Sequence, residues 1–185
     1  MNLDKFLLHK QDTILVIIDI QERLAAVMGE RQKVITNCLH LITAAGLLQI
    51  PVLITEQYPK GLGPTVNEIK DASVINETME KIAFNSCKEP EFITNISSSG
   101  RNKIILTGME THICVLQTCL GLLESGYSVN VANDAVCSRT TENYKTGIEF
   151  MRDAGAVITC TETILFQLLE KSGTEEFKNI SKRIK

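Results

Sequence analysis

Short, nearly continuous apolar runs alternate along this chain with longer stretches of helical period. Thr13-Ile14-Leu15-Val16-Ile17-Ile18-Asp19 is apolar and β-branched almost throughout, which predicts a strand buried on both faces. From about Arg31 to Gln49, Val34, Leu41, Ala45 and Leu48 fall on one helical stripe, and Pro51 opens a second strand, Val52-Leu53-Ile54-Thr55. Prolines 59 and 64 and glycines 61 and 63 make Glu56 to Pro64 a stiff, specifically shaped loop. Val74-Ile75 reads as a short strand, and Glu89 to Ile96 as a helix before the breaker Ser97-Ser98-Ser99-Gly100. Lys103 to Thr107 is a strand, Gly108 to Thr111 a tight connection, and His112 to Glu124 a helix closed by Ser125-Gly126. A strand over Tyr127 to Ala132, a helix from about Thr141 to Asp153, a strand over Ala156 to Thr159 and a helix over Glu162 to Lys171 complete the pattern. The expected fold is α/β: a single-domain, doubly wound (Rossmann-like) parallel six-stranded sheet with helices on both faces. One domain is expected over 1–185, with its core at about 12–171 and a tail at about 174–185 that is a short amphipathic helix or a frayed end.

Composition narrows the function classes. At 185 residues the chain suits one domain. A net charge of −3 lacks the basic field that nucleic acid or an anionic membrane would require, so neither partner is expected. The apolar run Ile14 to Ile18 is far shorter than the ~20 residues of a membrane helix. The first residues, MNLDKFLLHKQDT, mix charges and lack the apolar stretch of a signal peptide. The six cysteines, at 38, 87, 114, 119, 137 and 160, form no CxxC pair, which removes zinc-finger and thioredoxin readings. Free thiols in a reducing cytoplasm are expected.

In doubly wound sheets the ligand site lies beyond the carboxyl ends of the strands. That rule selects Asp19, Gln21 and Glu22 after the first strand, Glu56 to Tyr58 after the second, and Met109 to Cys114 after the strand at 103–107. Asp19 ends an apolar run, so its carboxylate either finds a donor in a dry setting or caps the next helix. Cys114 falls in the first turn of a helix, whose N–H groups would stabilise a thiolate and hold an oxyanion; a packed cysteine is the alternative. Lys81, in the extended-looking segment Lys81-Ile82-Ala83-Phe84, is a cation for that thiolate or a solvated lysine. With histidines only at 9, 40 and 112, a catalytic metal is not expected. GxSxG, GxGxxG and P-loop patterns are absent, and the lone GxG at Gly61 and Gly63 does not replace them.

These residues carry a family resemblance. Leu15-Val16-Ile17-Ile18-Asp19-Ile20-Gln21-Glu22-Arg23, Glu80-Lys81 and Gly108-Met109-Glu110-Thr111-His112-Ile113-Cys114-Val115 resemble the isochorismatase-like cysteine hydrolases. Thr55-Glu56-Gln57-Tyr58-Pro59-Lys60-Gly61-Leu62-Gly63, with Asp134-Ala135 and Ser138-Arg139, resembles the isochorismatase domain-containing subgroup. The resemblance implies a triad of Asp19 as acid and base, Lys81 as thiolate stabiliser and Cys114 as nucleophile, cleaving a C–N or related acyl bond of a small molecule through an acyl-enzyme. It also implies a non-proline cis peptide at Met109–Glu110, in a turn that with Cys114 would aim N–H groups at the oxyanion. Family nicotinamidases place Asp and His metal ligands after the second strand, where this chain has Gln57 and Tyr58, so neither metal nor other cofactor is expected. Tyr58 and Phe84 are candidate pocket walls and Gln21 a candidate polar contact, each with ordinary packing as its alternative. Relatives associate as dimers or larger assemblies, so a cytoplasmic homo-oligomer is expected. The competing readings are a catalytically silent binding or scaffold protein that keeps the fold, and a thiol redox sensor pairing Cys114 with Cys119 or Cys137.

Overall fold

The β-branched runs form one parallel sheet in the order β3-β2-β1-β4-β5-β6. In this computed structural model, which describes residues 3–72 and 77–184, the strands are β1 (Thr13–Ile18), β2 (Val52–Gln57), β3 (Glu77–Lys81), β4 (Lys103–Met109), β5 (Ser128–Cys137) and β6 (Val157–Thr159). The helices are α1 (Glu22–Ala25), α2 (Arg31–Leu48), α3 (Pro59–Leu62), α4 (Asn67–Ala72), α5 (Pro90–Ser98), α6 (Leu116–Glu124), α7 (Thr141–Asp153), α8 (Thr161–Leu169) and α9 (Glu175–Arg183).

Side chains of a strand alternate between faces, and β1 shows the consequence. Leu15 and Ile17 enter the core under α2, α8 and α9, while Ile14, Val16 and Ile18 enter the opposite core under α5, α6 and α7. Both cores are dry, and each fully buried Ile or Val of β1 contributes about 1.5–3 kcal/mol. This two-sided burial explains why β1 reads as an unbroken apolar run rather than an alternating one.

Several expected boundaries move for identifiable reasons. β1 stops at Ile18 because Asp19 turns to φ 51, a left-handed conformation that Asp tolerates better than the isoleucines before it. β2 continues to Gln57, and the expected loop contains α3. The expected strand at Val74-Ile75 lies outside the described residues; the third strand observed is β3, which brings Lys81 to its end. β5 runs on to Cys137 through a register shift opposite Leu106 and Gly108, so the turn-like Asn133-Asp134 sits in a strand irregularity. There Asp134 Oδ1 accepts hydrogen bonds from Thr161 N and Oγ1, both at 2.8 Å, tying β5 to the start of α8. The tail at 175–183 is helical, with Ile180 buried and Phe177 packed on the core.

The order places β1 and β4 side by side at the centre of the sheet. α2 after β1 and α6 after β4 cover opposite faces, which opens a crevice between the carboxyl ends of these strands. Gly108 makes the close approach possible: at φ 120, a Cβ there would lie 2.0 Å from the carbonyl oxygen of Ile18.

Candidate active site

Asp19, Lys81 and Cys114 reach the same crevice from the ends of three strands. Asp19 is fully buried, so its carboxylate needs donors. Oδ2 accepts from Lys81 Nζ at 2.7 Å and Oδ1 from Thr55 Oγ1 at 2.7 Å. The Lys81 ammonium also donates to Gln57 Oε1 at 2.7 Å and to the Ala83 carbonyl at 3.3 Å. Its three protons therefore meet three acceptors, which is what a lysine only 2% exposed requires.

Cys114 lies in a π-helical turn, Thr111–Val115, that leads into α6, rather than in the first turn of a regular α-helix. The Glu110 carbonyl accepts from the N–H of Ile113 at 3.1 Å and of Val115 at 3.2 Å. Met109–Glu110 is a cis peptide, at the position the resemblance implies. Two contacts brace the turn from the loop after β5. Glu110 Oε2 accepts from Arg139 N at 3.0 Å and Nε at 3.1 Å, and His112 Nδ1 lies 2.9 Å from Ser138 Oγ. α7 packs against it as well, where a Cβ on Gly147 would lie 2.9 Å from the Thr111 carbonyl oxygen.

Burial pushes the Cys114 thiol up to about 12, the neighbouring Asp19 adds to the rise, and Lys81 opposes it. Burial and the Asp19 charge thus oppose the thiolate stabilisation expected of a helix start. Burial also pushes Cys38, Cys87, Cys119 and Cys137 up to about 12. A high value therefore does not set Cys114 apart; its neighbours do, an acid and a cation held against each other.

The other expected residues have distinct places. Gln21 is buried with its amide fully engaged: Oε1 accepts from Gln57 N at 2.7 Å, and Nε2 donates to the carbonyls of Gln57 and Gly63 at 3.0 and 2.7 Å. It braces the ends of β1 and β2, and no amide group is turned to a ligand. Tyr58 and Phe84 are about half exposed and, with exposed Ile82, supply apolar surface beside Lys81. A cleft of about 240 Å³ opens there, lined by Tyr58, Pro59 and Ile82 and by the charged Lys60, Glu80, Lys81 and Glu89. Glu56 is engaged elsewhere, accepting from Thr65 N and Oγ1. Thr55 is the polar partner that sequence reasoning passed over, as an ordinary strand residue, and Gln57 was selected for its place after the second strand without its role beside Lys81, since neither side chain's direction can be read from the chain. Among the described residues no group of three or more His, Cys, Asp or Glu side chains is placed to hold a metal ion. No helix among them is long and apolar enough to cross a membrane.

Comparison with known proteins places this geometry in a family. Residues 13–163 match the isochorismatase domain. A secreted isochorismatase effector, Isc1, of Phytophthora sojae is 40% identical over 179 residues, covering 94% of this chain and 84% of that protein. Isochorismatase domain-containing protein 2 of Xenopus laevis is 33% identical over 177 residues, covering 96% and 85%. A solved structure described as MAR1 ribonuclease from Caenorhabditis elegans superposes with a TM-score of 0.89 at 36% identity, covering 96% of this chain and 91% of its own. The domain match spans β1 to the start of α8 and so includes Asp19, Lys81 and Cys114. The chain belongs to the isochorismatase family, a family of hydrolases.

Proposed function

We propose that this protein is a cysteine-dependent hydrolase that cleaves a C–N or related acyl bond of a small molecule through an acyl-enzyme on Cys114. One observation carries the reading: the buried Asp19 carboxylate is held 2.7 Å from Lys81 Nζ, and both groups act electrostatically on the Cys114 thiol. As Sγ bonds to the substrate carbonyl carbon, the thiol proton passes to Asp19 and the carbonyl π electrons move to oxygen. N–H groups of the π-helical turn, including that of Cys114, receive the oxyanion. Collapse breaks the C–N bond, Asp19 returns the proton to the leaving nitrogen, and a thioester remains. Asp19 then takes a proton from water, whose oxygen attacks the thioester, and the acid leaves as Cys114 regains its proton. Lys81 acts on the charges of Asp19 and the forming thiolate, since its own protons are occupied. Tyr58, Pro59 and Ile82 offer apolar surface to a substituent in the cleft, whose remaining lining is charged, and the exposure of Tyr58, Ile82 and Phe84 suits contact with a second copy in a homo-oligomer. A cytoplasmic setting belongs to the same proposal, supported by six unpaired cysteines.

The test is a screen of small amides and esters on wild type and Cys114→Ala, with mass spectrometry for an acyl adduct. Turnover with a Cys114-linked adduct, both absent from Cys114→Ala, is the expected result. Equal background from the two proteins would favour a binding module that keeps the fold. Single-stranded RNA serves as a control suggested by the ribonuclease description of the nematode relative. No cleavage is expected, because a chain of net charge −3 provides no field to gather a polyphosphate.

A further inference from the structure

Asp19 has two carboxylate oxygens, and the triad accounts for the partner of only one. Lys81 holds Oδ2. Oδ1 is held by Thr55, which contacts Asp19 twice: its backbone carbonyl accepts the Asp19 N–H at 3.1 Å, and its hydroxyl donates to Oδ1 at 2.7 Å. The register explains the double contact. Thr55 pairs with Ile18, the last residue of β1, so it stands beside the point where the chain turns to φ 51 and directs Asp19 into the crevice. Thr55 is fully buried, and its β-branched side chain is stiff about χ1, so the hydroxyl is a fixed donor with no water competing for it.

We infer that Thr55 is a positioning residue for the acid and base of the proposed reaction: its hydroxyl fixes Oδ1 so that the carboxylate, anchored at Oδ2 by Lys81, cannot pivot away from Cys114. The inference rests on the acyl-enzyme reading above. The charged and titratable groups facing Asp19 and Cys114 are Lys81 from β3 and Glu110 from the turn after β4, the latter held by Arg139. Thr55 adds no charge to this set. It acts through geometry and by donating to the ionised form of Asp19, which favours that form.

The experiment uses p-nitrophenyl acetate with the full chain. Sγ forms the thioester as the bond between the acetyl carbonyl carbon and the phenolic oxygen breaks, and the thiol proton passes through Asp19 to solvent or the leaving oxygen, so the burst of p-nitrophenol reports acylation of Cys114. Thr55→Val keeps the shape and removes the donor. It should lower the plateau acylation rate at least about tenfold and move the acidic limb of the rate–pH profile to higher pH. Thr55→Ser should restore both. A purely structural threonine would change the melting temperature and leave the limb in place. Should Thr55→Val fail to fold, Thr55→Ser against Thr55→Ala isolates the hydroxyl at nearly equal size, with the same expected contrast. A Cys114-dependent burst whose profile is the same with and without the hydroxyl overturns this inference alone. A burst that survives Cys114→Ala overturns the acyl-enzyme reading, and this inference falls with it.

Discussion

Two lysines are buried among the described residues, at opposite edges of the same sheet, and their surroundings differ in kind. Lys103 begins β4 at the amino edge and is 1% exposed; Lys81 ends β3 at the carboxyl edge and is 2% exposed. Lys103 Nζ donates to the carbonyls of Asp4 and Leu7 at 3.0 and 2.7 Å and pairs with Asp4 Oδ1 at 3.1 Å and Asp12 Oδ2 at 3.4 Å. Those carboxylates are 61% and 33% exposed, so Lys103 is a clasp that ties the N-terminal segment to the sheet while its anions stay wet. Lys81 instead faces a carboxylate with no exposure at all, beside a thiol. Burial of a lysine is therefore no functional signal by itself. A dry counter-ion next to a nucleophile is, because neither charge can turn to water when its partner changes.

Removing each ammonium tests this contrast most strongly. Lys81→Met strands the Asp19 carboxylate and is expected to cost about 3–5 kcal/mol in urea unfolding, with loss of Cys114 acylation. Lys103→Met, whose carboxylates can rehydrate, is expected to cost about 1–3 kcal/mol and leave acylation unchanged. Equal costs, or an acylation defect in Lys103→Met, would break the comparison.

Alkaline titration gives a second, smaller effect. The Cys114 thiol rises from 9.0 to about 12 on folding, so between these values the unfolded chain has lost a proton that the folded chain keeps. Its contribution to stability is complete below pH 9 and falls as pH rises towards 12, at up to about 1.4 kcal/mol per unit. Cys114→Ala should accordingly show a shallower loss of stability above pH 9 than wild type, measured as urea midpoints at successive pH values.

Exchanging the counter-ions sharpens the comparison further. Asp19→Asn removes the charge that helps raise the thiol, so iodoacetamide should label Cys114 from a lower pH than in wild type, as followed by mass spectrometry. Asp12→Asn, at the Lys103 clasp, should leave that labelling profile in place. The smallest effect belongs to Asp4→Asn, expected to change stability by less than about 1 kcal/mol, since the exposed carboxylate is screened and backbone carbonyls still hold Lys103.

The sheet was legible in the chain because a strand covered on both faces is nearly continuous in apolar residues, as β1 is after Thr13 and β4 is over Ile104-Ile105-Leu106. β3 was not, since Glu77-Thr78-Met79-Glu80-Lys81 is an edge strand with little apolar content. The helix after β4 was legible in extent, but its first turn is π-helical, a difference of one backbone register that composition does not encode. Among the candidate site residues, Asp19 stood out by contrast with its apolar neighbours and Cys114 by its place after a central strand. Lys81 needed the family resemblance. Gln21 was noticed for its position, yet its amide holds backbone rather than facing the crevice.

The sequence by itself determined the class of fold and the chemistry on offer, because hydrophobic period and residue type are local properties. It supplied an acid at the end of an apolar strand, a thiol after another and a net charge of −3. Which groups meet was decided only by the tertiary structure. Thr55 and Lys81 lie 36 and 62 positions from Asp19, and strand order alone brings both to its two oxygens. The surroundings of Cys114 were decided there too, since burial and Asp19, which its place near a helix start does not reveal, push the thiol up.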